Sequence, residues 1–147
     1  MQLFGGLDIG TNGVRIVLVD ETLNIKYENS LNYDTKTPRE GWAEQDPGEI
    51  FQVCEDLLTQ VVARYNDDDI YITFSSVMHS IMTVDNNGRN LTPMIIWADT
   101  RAREECEELR EKYEEKVFYK NTACPLHSTY WPARIKYLQT QLDNLHN

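Results

Sequence analysis

The stretch that decides the fold runs from Leu3 to Asp20 and reads LFGGLDIGTNGVRIVLVD. Two apolar runs, Leu3–Ile9 and Val14–Val19, flank the polar residues 10–13. Apolar runs of this length around a glycine-containing turn predict two short antiparallel strands. We therefore expect the chain to open with a β-hairpin that has a polar tip.

The tip of this hairpin carries groups that suit an anion. Gly10 and Gly13 allow backbone N–H groups to approach a ligand closely. Thr11 and Asn12 add side-chain donors, and Arg15 adds a fixed positive charge. These residues indicate a phosphate site, but an ordinary hairpin with a polar tip explains this stretch equally well.

Asp8 ends the first apolar run, directly before the turn. A carboxylate at this place can hold Mg²⁺, either directly or through a water molecule. The hairpin tip is therefore a candidate site for a metal ion together with a phosphate.

The composition limits the classes of partner. The 147 residues suit one domain, and the net charge of −10 argues against nucleic acid and anionic membrane surfaces. No apolar run approaches the roughly 20 residues of a membrane helix, and no secretory signal is evident. The cysteines are odd in number, widely spaced and without a CxxC pair, which favours the reducing cytoplasm: Cys54, Cys106 and Cys124.

The first half of the chain continues with a strand, a loop, a helix and another strand. A third strand is predicted within Asn24–Tyr33, followed by a loop at Thr35–Glu44. Asp46 is a suitable N-cap for a helix that ends near Tyr65, and Ile70–Phe74 reads as a buried strand. The apolar stripe of this helix is predicted to comprise Ile50, Val53, Cys54, Leu57, Leu58, Val61 and Val62.

The second half predicts a hairpin of Ile81–Val84 with Leu91–Trp97, then two helices. The first helix is predicted from Arg101 to about Val117, and the last from Thr129 or Tyr130 onward. Ile135, Leu138 and Leu142 mark the predicted buried side of the last helix. The order β-β-β-α-β-β-β-α-α predicts an α/β protein with the ribonuclease H-like (actin-like ATPase) fold, a mixed sheet with flanking helices.

Two strand ends carry groups that suit a polyol. Met78 and His79 follow one strand, while Trp97, Asp99 and Arg101 follow another. An indole offers a flat apolar face to sugar C–H groups, while carboxylate, guanidinium and imidazole groups bond hydroxyls. Structural roles stay open for these residues, because Trp97 also suits a core and Asp99 also suits a helix cap.

Four motifs resemble, in order and spacing, the N-terminal part of the FGGY carbohydrate kinases. They are LDIGT at 7–11, WAEQDP at 42–47, SVMH at 76–79 and WADTR at 97–101. FSSVMHS at 74–80 and TACPLH at 122–127 are most similar to the gluconate kinase branch. Xylulokinases also carry a Met-His pair at this place and are the near alternative, whereas glycerol kinases have an Arg-Glu pair there.

This resemblance implies ATP-dependent phosphorylation of a sugar or sugar-acid hydroxyl. It places the nucleotide phosphates at the first hairpin, with Mg²⁺ near Asp8. The implied phosphate contacts are Gly10, Thr11, Asn12 and Arg15. The implied sugar contacts are Met78, His79, Trp97, Asp99 and Arg101.

The chain also departs from the family, whose members are much longer and have two domains. Residues 1–147 correspond to the N-terminal part of the first domain, and the catalytic aspartate of the family lies beyond them. We therefore expect an incomplete domain with little or no kinase activity alone. Exposed sheet edges predict a homodimer or coverage by a partner. A binding remnant without chemistry is the alternative, and the sugar-side motifs disfavour a third reading as an actin-like or heat-shock ATPase lobe.

Overall fold

A computed structural model describes the backbone of residues 1–145 and the side chains of residues 1–142. The chain divides into two compact units, one of residues 1–35 with 46–78 and one of residues 36–45 with 79 onward. In chain order the elements are β1 (Gln2–Ile9), β2 (Gly13–Asp20), β3 (Ile25–Asn32), β4 (Glu44–Gln45), α1 (Pro47–Arg64), β5 (Asp69–Ser76), β6 (Met94–Ile95), α2 (Arg103–Lys112), α3 (Glu115–Thr122) and α4 (Trp131–Leu145).

The first unit contains a four-stranded sheet in the order β3-β2-β1-β5. The pairs β1–β2 and β2–β3 are antiparallel, whereas β5 lies parallel to β1. Alternation along β1 buries Leu3 and Leu7 completely, while Phe4 between them stays 42% exposed. The mixed sheet confirms the predicted meander followed by a crossover helix to a further strand. The prediction that this strand is buried is wrong, because Tyr71 and Phe74 of β5 are 54% and 63% exposed.

Helix α1 begins and ends where the sequence predicts. The carboxylate of Asp46 accepts hydrogen bonds from the amides of Gly48, at 2.8 Å, and Glu49, at 3.4 Å, which caps the helix. Pro47 occupies the first turn, where no intrahelical amide bond is lost. The buried stripe is narrower than predicted, because Val62 is 60% exposed and only three residues of the described helix are buried: Ile50, Leu57 and Val61.

The second unit begins with short pairings. Strand β4 pairs with β6, so the predicted loop at Thr35–Glu44 ends in a strand. The predicted hairpin is reduced to isolated bridges, Ile81 with Ile95 and Val84 with Asn90. Its tip is an Asp85 turn, whose carboxylate accepts the amides of Asn87 and Arg89 at 2.8 Å each.

One predicted helix is two helices. Residues 101–117 do not form a continuous helix, because Tyr113 is extended with φ −123° and ψ 131° between α2 and α3. The charges suit this break: Arg110 and Lys112 lie in the last turn of α2, and Glu115 lies in the first turn of α3. Each charge complements the partial charge of the helix end beside it.

Helix α4 packs against α2 through small residues. A buried cluster joins Ala102, Cys106, Leu126 and Ala133, with Leu109, Phe118 and Tyr137 packed around it. Leu138 is buried as predicted, but Ile135 is 43% exposed and Arg134 is 1% exposed. All three cysteines are free. Within residues 1–145 no helix combines the length and apolar character needed to span a membrane.

Candidate functional site

The turn between β1 and β2 is closed by a backbone hydrogen bond. The amide of Gly10 donates to the carbonyl of Gly13 at 2.9 Å. A Cβ on Gly13 would lie 2.9 Å from the Cα of Asn32, so only glycine fits beside β3. The turn is therefore held tight while Asn12 at its tip stays exposed.

Tyr33 holds the turn through two hydrogen bonds. The sequence did not predict this role. The buried phenol of Tyr33 donates a hydrogen bond to the Gly10 carbonyl, and its amide donates to the Asn12 carbonyl at 3.2 Å. Burial raises the pKa of Tyr33, with further contributions from Cys54 and the Asp8 carboxylate. The available signal was a lone aromatic residue directly after β3, which is the strand that pairs with the turn.

Asp8 and Arg15 are register partners on β1 and β2. The Asp8 carboxylate leans toward the turn, with Oδ2 3.9 Å from the position of a Cβ on Gly10. Arg15 forms an ion pair with Glu28, and its side chain remains 60% exposed. An exposed cation beside the glycine turn is available to an anionic ligand.

The carboxylate of Asp8 suits Mg²⁺ that is also bound by phosphate oxygens and water. Among residues 1–142 no cluster of three or more His, Cys, Asp or Glu side chains forms a metal cage. Mg²⁺ in nucleotide sites is bound by one or two carboxylates plus phosphate oxygens and water. Asp8 therefore suits a metal ion that arrives with a nucleotide.

The predicted sugar-side residues differ in exposure. Met78, the last residue of the first unit, is 73% exposed. In the second unit, Trp97 is 50% exposed and His79 is half-buried. The ring of His79 packs on Tyr130 with 4.7 Å between centroids, and its backbone has a left-handed φ of 65°. A positive φ is uncommon outside glycine and costs some free energy, so the surroundings of His79 must hold this backbone in place.

Asp99 and Arg101 are engaged with each other and with their neighbours. Asp99 is 1% exposed and accepts the amide of Ala43 at 2.6 Å, besides three side-chain contacts from Arg101. Arg101 also pairs with Glu44 at 2.7 Å and stacks over Trp42 at 3.8 Å. Direct bonding of these two side chains to a sugar, as the sequence predicts, requires polar atoms that are already bonded here.

The same network raises the pKa of Arg101. Burial acts to lower the pKa of Arg101, but the hydrogen bonds to Asp99 and Glu44 outweigh it and raise the value.

The open possibility that Asp99 caps the following helix is wrong, because the N-cap of α2 is Ala102 and lacks a side-chain bond. Asp99 instead accepts the amide of Arg101 at 2.9 Å.

The two units thus offer two different chemistries. The first unit presents a glycine turn with an arginine and an aspartate, which suits a phosphate accompanied by a metal ion. The second unit presents an indole and an imidazole on loops fixed by buried polar bonds, which suits a polyol.

A family model described as "FGGY family of carbohydrate kinases, N-terminal domain" matches residues 3–146. The chain belongs to the FGGY family. It is 36% identical over 123 residues to a gluconokinase of Bacillus subtilis, covering 83% of this chain and 24% of that protein. It is 30% identical over 115 residues to a xylulose kinase of Lactococcus lactis, covering 76% of this chain and 23% of that protein.

Solved structures give the same family relationship. A Plasmodium falciparum glycerol kinase with ADP superposes with a TM-score of 0.86 at 26% identity, covering 94% of this chain and 28% of that one. This likeness confirms the predicted actin-like ATPase fold class of FGGY kinases. The chain spans about a quarter of the length of the relatives it matches.

Proposed function

We propose that the chain is the N-terminal part of the first domain of an ATP-dependent carbohydrate kinase that phosphorylates a hydroxyl of gluconate. The observation that carries this proposal is the tight turn between β1 and β2. Gly13 has no space for a side chain there, and Arg15 stays exposed. A fixed turn of this kind pre-positions anion donors, so less ordering is needed when phosphate binds. The FGGY family membership supplies the reaction class.

The nucleotide side of the proposal uses the first unit. Thr11, Asn12 and Arg15 contact the β- and γ-phosphates, and Gly10 provides close backbone approach. Asp8 would hold Mg²⁺ there, and the ion would offset negative charge on the phosphates. The glycerol kinase structure with ADP supports an adenine nucleotide as the cofactor of this family.

The sugar side of the proposal uses exposed groups of the second unit, and Met78 of the first unit is proposed as a sugar contact from the family resemblance alone. Trp97 offers its indole face to the C–H groups of the substrate, and His79 exchanges hydrogen bonds with a hydroxyl. Asp99 and Arg101 shape the wall and fix the loop that carries Trp97. The gluconokinase relative favours gluconate, and the xylulose kinase relative at 30% identity supports xylulose as the second candidate.

The chain alone is proposed to bind without turnover. Phosphoryl transfer to a hydroxyl needs a base, and the proposal places that aspartate and the adenine-binding domain outside residues 1–147. A cytoplasmic location is part of the proposal, supported by the free cysteines. A homodimer is a further part, supported by the unpaired outer edge of β5 in the described sheet.

A substrate panel tests the function directly. The protein expressed from the complete reading frame that encodes this chain is incubated with ATP and with D-gluconate, D-xylulose or glycerol. The release of ADP is then measured. We expect the highest kcat/KM with gluconate. A preference for xylulose would support the second candidate, and no ATP-dependent phosphorylation of any member would contradict the proposal. The purified 147-residue chain should match a no-protein control.

The sugar side has its own matched pair of variants. In the complete protein, Trp97→Ala should weaken sugar binding roughly 3- to 10-fold, because an aromatic contact is lost. Trp131→Ala is the control, since Trp131 on α4 is 55% exposed, much like Trp97, and is not one of the proposed sugar contacts. Equal effects of the two substitutions on the sugar KM would reject the assignment of Trp97.

A further inference from the structure

The residue with the largest fully buried side chain in the described chain is an arginine. Arg134 of α4 is 1% exposed, although an arginine in a protein interior normally faces a carboxylate. Its guanidinium instead donates to four backbone carbonyls, those of His79, Ile95 at 3.3 Å, Ile96 at 2.5 Å and Asp99 at 3.1 Å. One side chain therefore joins the segment at His79 to the segment 95–99.

Burial of the Arg134 guanidinium without a carboxylate partner costs free energy. Desolvation lowers the pKa of Arg134, and the nearby charge of Arg101 adds to this, while the charge of Asp99 opposes it. The Nε of Arg134 has no hydrogen-bond partner among the described residues. A leucine or methionine would fill the same space without these penalties, so packing alone does not explain an arginine here.

The four carbonyls belong to the segments that carry the sugar-side residues. His79 has a left-handed backbone, and its carbonyl bonds to Nη1 of Arg134. The carbonyls of Ile96 and Asp99 bracket Trp97, and both bond to Nη2. The planar fork of the guanidinium reaches both segments at once, which the single nitrogen of lysine does less well.

We propose that Arg134 is a positioning residue, which fixes the left-handed backbone of His79 and the turn around Trp97 so that both side chains are oriented toward the sugar. This inference rests on the proposed sugar-side role of His79 and Trp97. Arg134 itself has no contact with substrate in this scheme. It acts by selecting one backbone arrangement of two segments that are far apart in sequence.

Amide spectra of the 147-residue chain test the positioning without any ligand. A positive φ gives a strong intraresidue NOE between the amide and α protons, which reports the backbone of His79 directly. In Arg134→Met we expect this NOE to be lost and the amides of Ile96 and Asp99 to exchange about tenfold faster or more, because bonds from a charged donor are removed. In Arg134→Lys we expect a partial effect, since the charge remains without the fork.

The control is Arg103→Met, which removes the same charge from an exposed side chain that forms no bond among the described residues. It should leave the NOE and the exchange rates unchanged. If Arg134→Met folds and keeps both signatures, Arg134 only packs and the inference is overturned. If Arg134→Met does not fold, Arg134→Lys decides in the same way, and unchanged signatures in it would overturn the inference.

A titration with D-gluconate separates this inference from the proposed function. The wild-type chain should show shifts at His79 and at the Trp97 indole, and the Arg134→Lys chain should need several-fold more gluconate. No response of the wild-type chain would contradict the sugar-side role, whereas the NOE and exchange data would still decide whether Arg134 sets the two backbones. A wild-type response that is unchanged in Arg134→Lys would overturn the inference.

Discussion

Arg101 grips both carboxylate oxygens of Asp99, with Nε 3.0 Å from each and Nη2 2.8 Å from Oδ2. The pair is almost fully removed from water, since the side chains of Arg101 and Asp99 are 6% and 1% exposed. A buried pair of this kind stabilises little relative to apolar residues, but removal of one partner leaves the other charge uncompensated. The relationship therefore predicts a strong effect on stability.

Asp99→Asn should lower the free energy of unfolding of the chain by about 3 kcal/mol, because Arg101 would keep only Glu44 as a charged partner. Urea unfolding at neutral pH followed by circular dichroism measures this change. Glu107→Gln is the matched control, since it breaks an exposed pair with Arg110 and should change stability by less than about 1 kcal/mol. Equal losses in the two variants would show that burial of the Asp99 pair is not the cause.

Tyr33→Phe should loosen the glycine turn while leaving the sheet intact, because only the hydroxyl bond to the Gly10 carbonyl is removed. The loss of one hydrogen bond should cost about 1 kcal/mol of stability. Amide exchange measures the local effect, which should be largest at Gly10, the amide that closes the turn. The Tyr27→Phe chain is a control, because its hydroxyl bonds Gln60 on α1 instead. Faster exchange at Gly10 in both variants would contradict this role of Tyr33.

Asp20 makes stability depend on acid pH. Hydrogen bonding from Thr22, supported by Lys26 and the amide of Asn24, holds the pKa of the Asp20 carboxyl well below its usual range. An aspartate in the unfolded chain has a pKa of about 3.9, so this stabilisation is complete above that pH and is lost as the pH falls below it. The difference in stability between the wild type and Asp20→Asn should therefore shrink as the pH falls from about 5 to about 2.

Thermal unfolding at a series of pH values checks this dependence. Thr22→Val, which keeps the Asp20 carboxylate but removes its hydroxyl donor, should show an intermediate dependence. A gap between wild type and Asp20→Asn that stays constant across this range would contradict the assignment.

The outer edge of β5 predicts self-association of the chain. Phe74 and Tyr71 on this strand are 63% and 54% exposed, and no described strand pairs with its outer side. We expect dimers by size-exclusion chromatography with light scattering, and monomers after Phe74→Lys. Val62→Lys on α1 is matched in exposure, at 60%, and should leave the dimer intact. A wild-type monomer at all concentrations would refute the prediction.

Local signals allowed much of the fold to be predicted. Asp46 and Pro47 define the start of α1 by capping chemistry, which depends only on neighbouring residues. The hairpin around Gly10 and Gly13 follows from apolar runs on both sides of glycines. The parallel addition of β5 follows from the crossover helix between it and the meander.

The remaining features depend on contacts between distant residues. Arg134 lies beside apolar neighbours in sequence, and only the four carbonyls brought to it by folding explain its burial. Arg101 pairs with Glu44, which is 57 residues away, and with Asp99, so the two predicted sugar ligands Asp99 and Arg101 are parts of a buried network. The break at Tyr113 also escaped prediction, because the charges on both sides suit one long helix nearly as well as two.

The turn between β1 and β2 is proposed to bind the phosphates of the nucleotide. Steady-state kinetics of Arg15→Ala in the complete protein tests this role, with Arg64→Ala at the end of α1 as the control. We expect Arg15→Ala to raise the KM for ATP or to lower kcat, while the KM for gluconate stays unchanged and Arg64→Ala has no effect. A selective loss of gluconate affinity, or wild-type kinetics in Arg15→Ala, would contradict it.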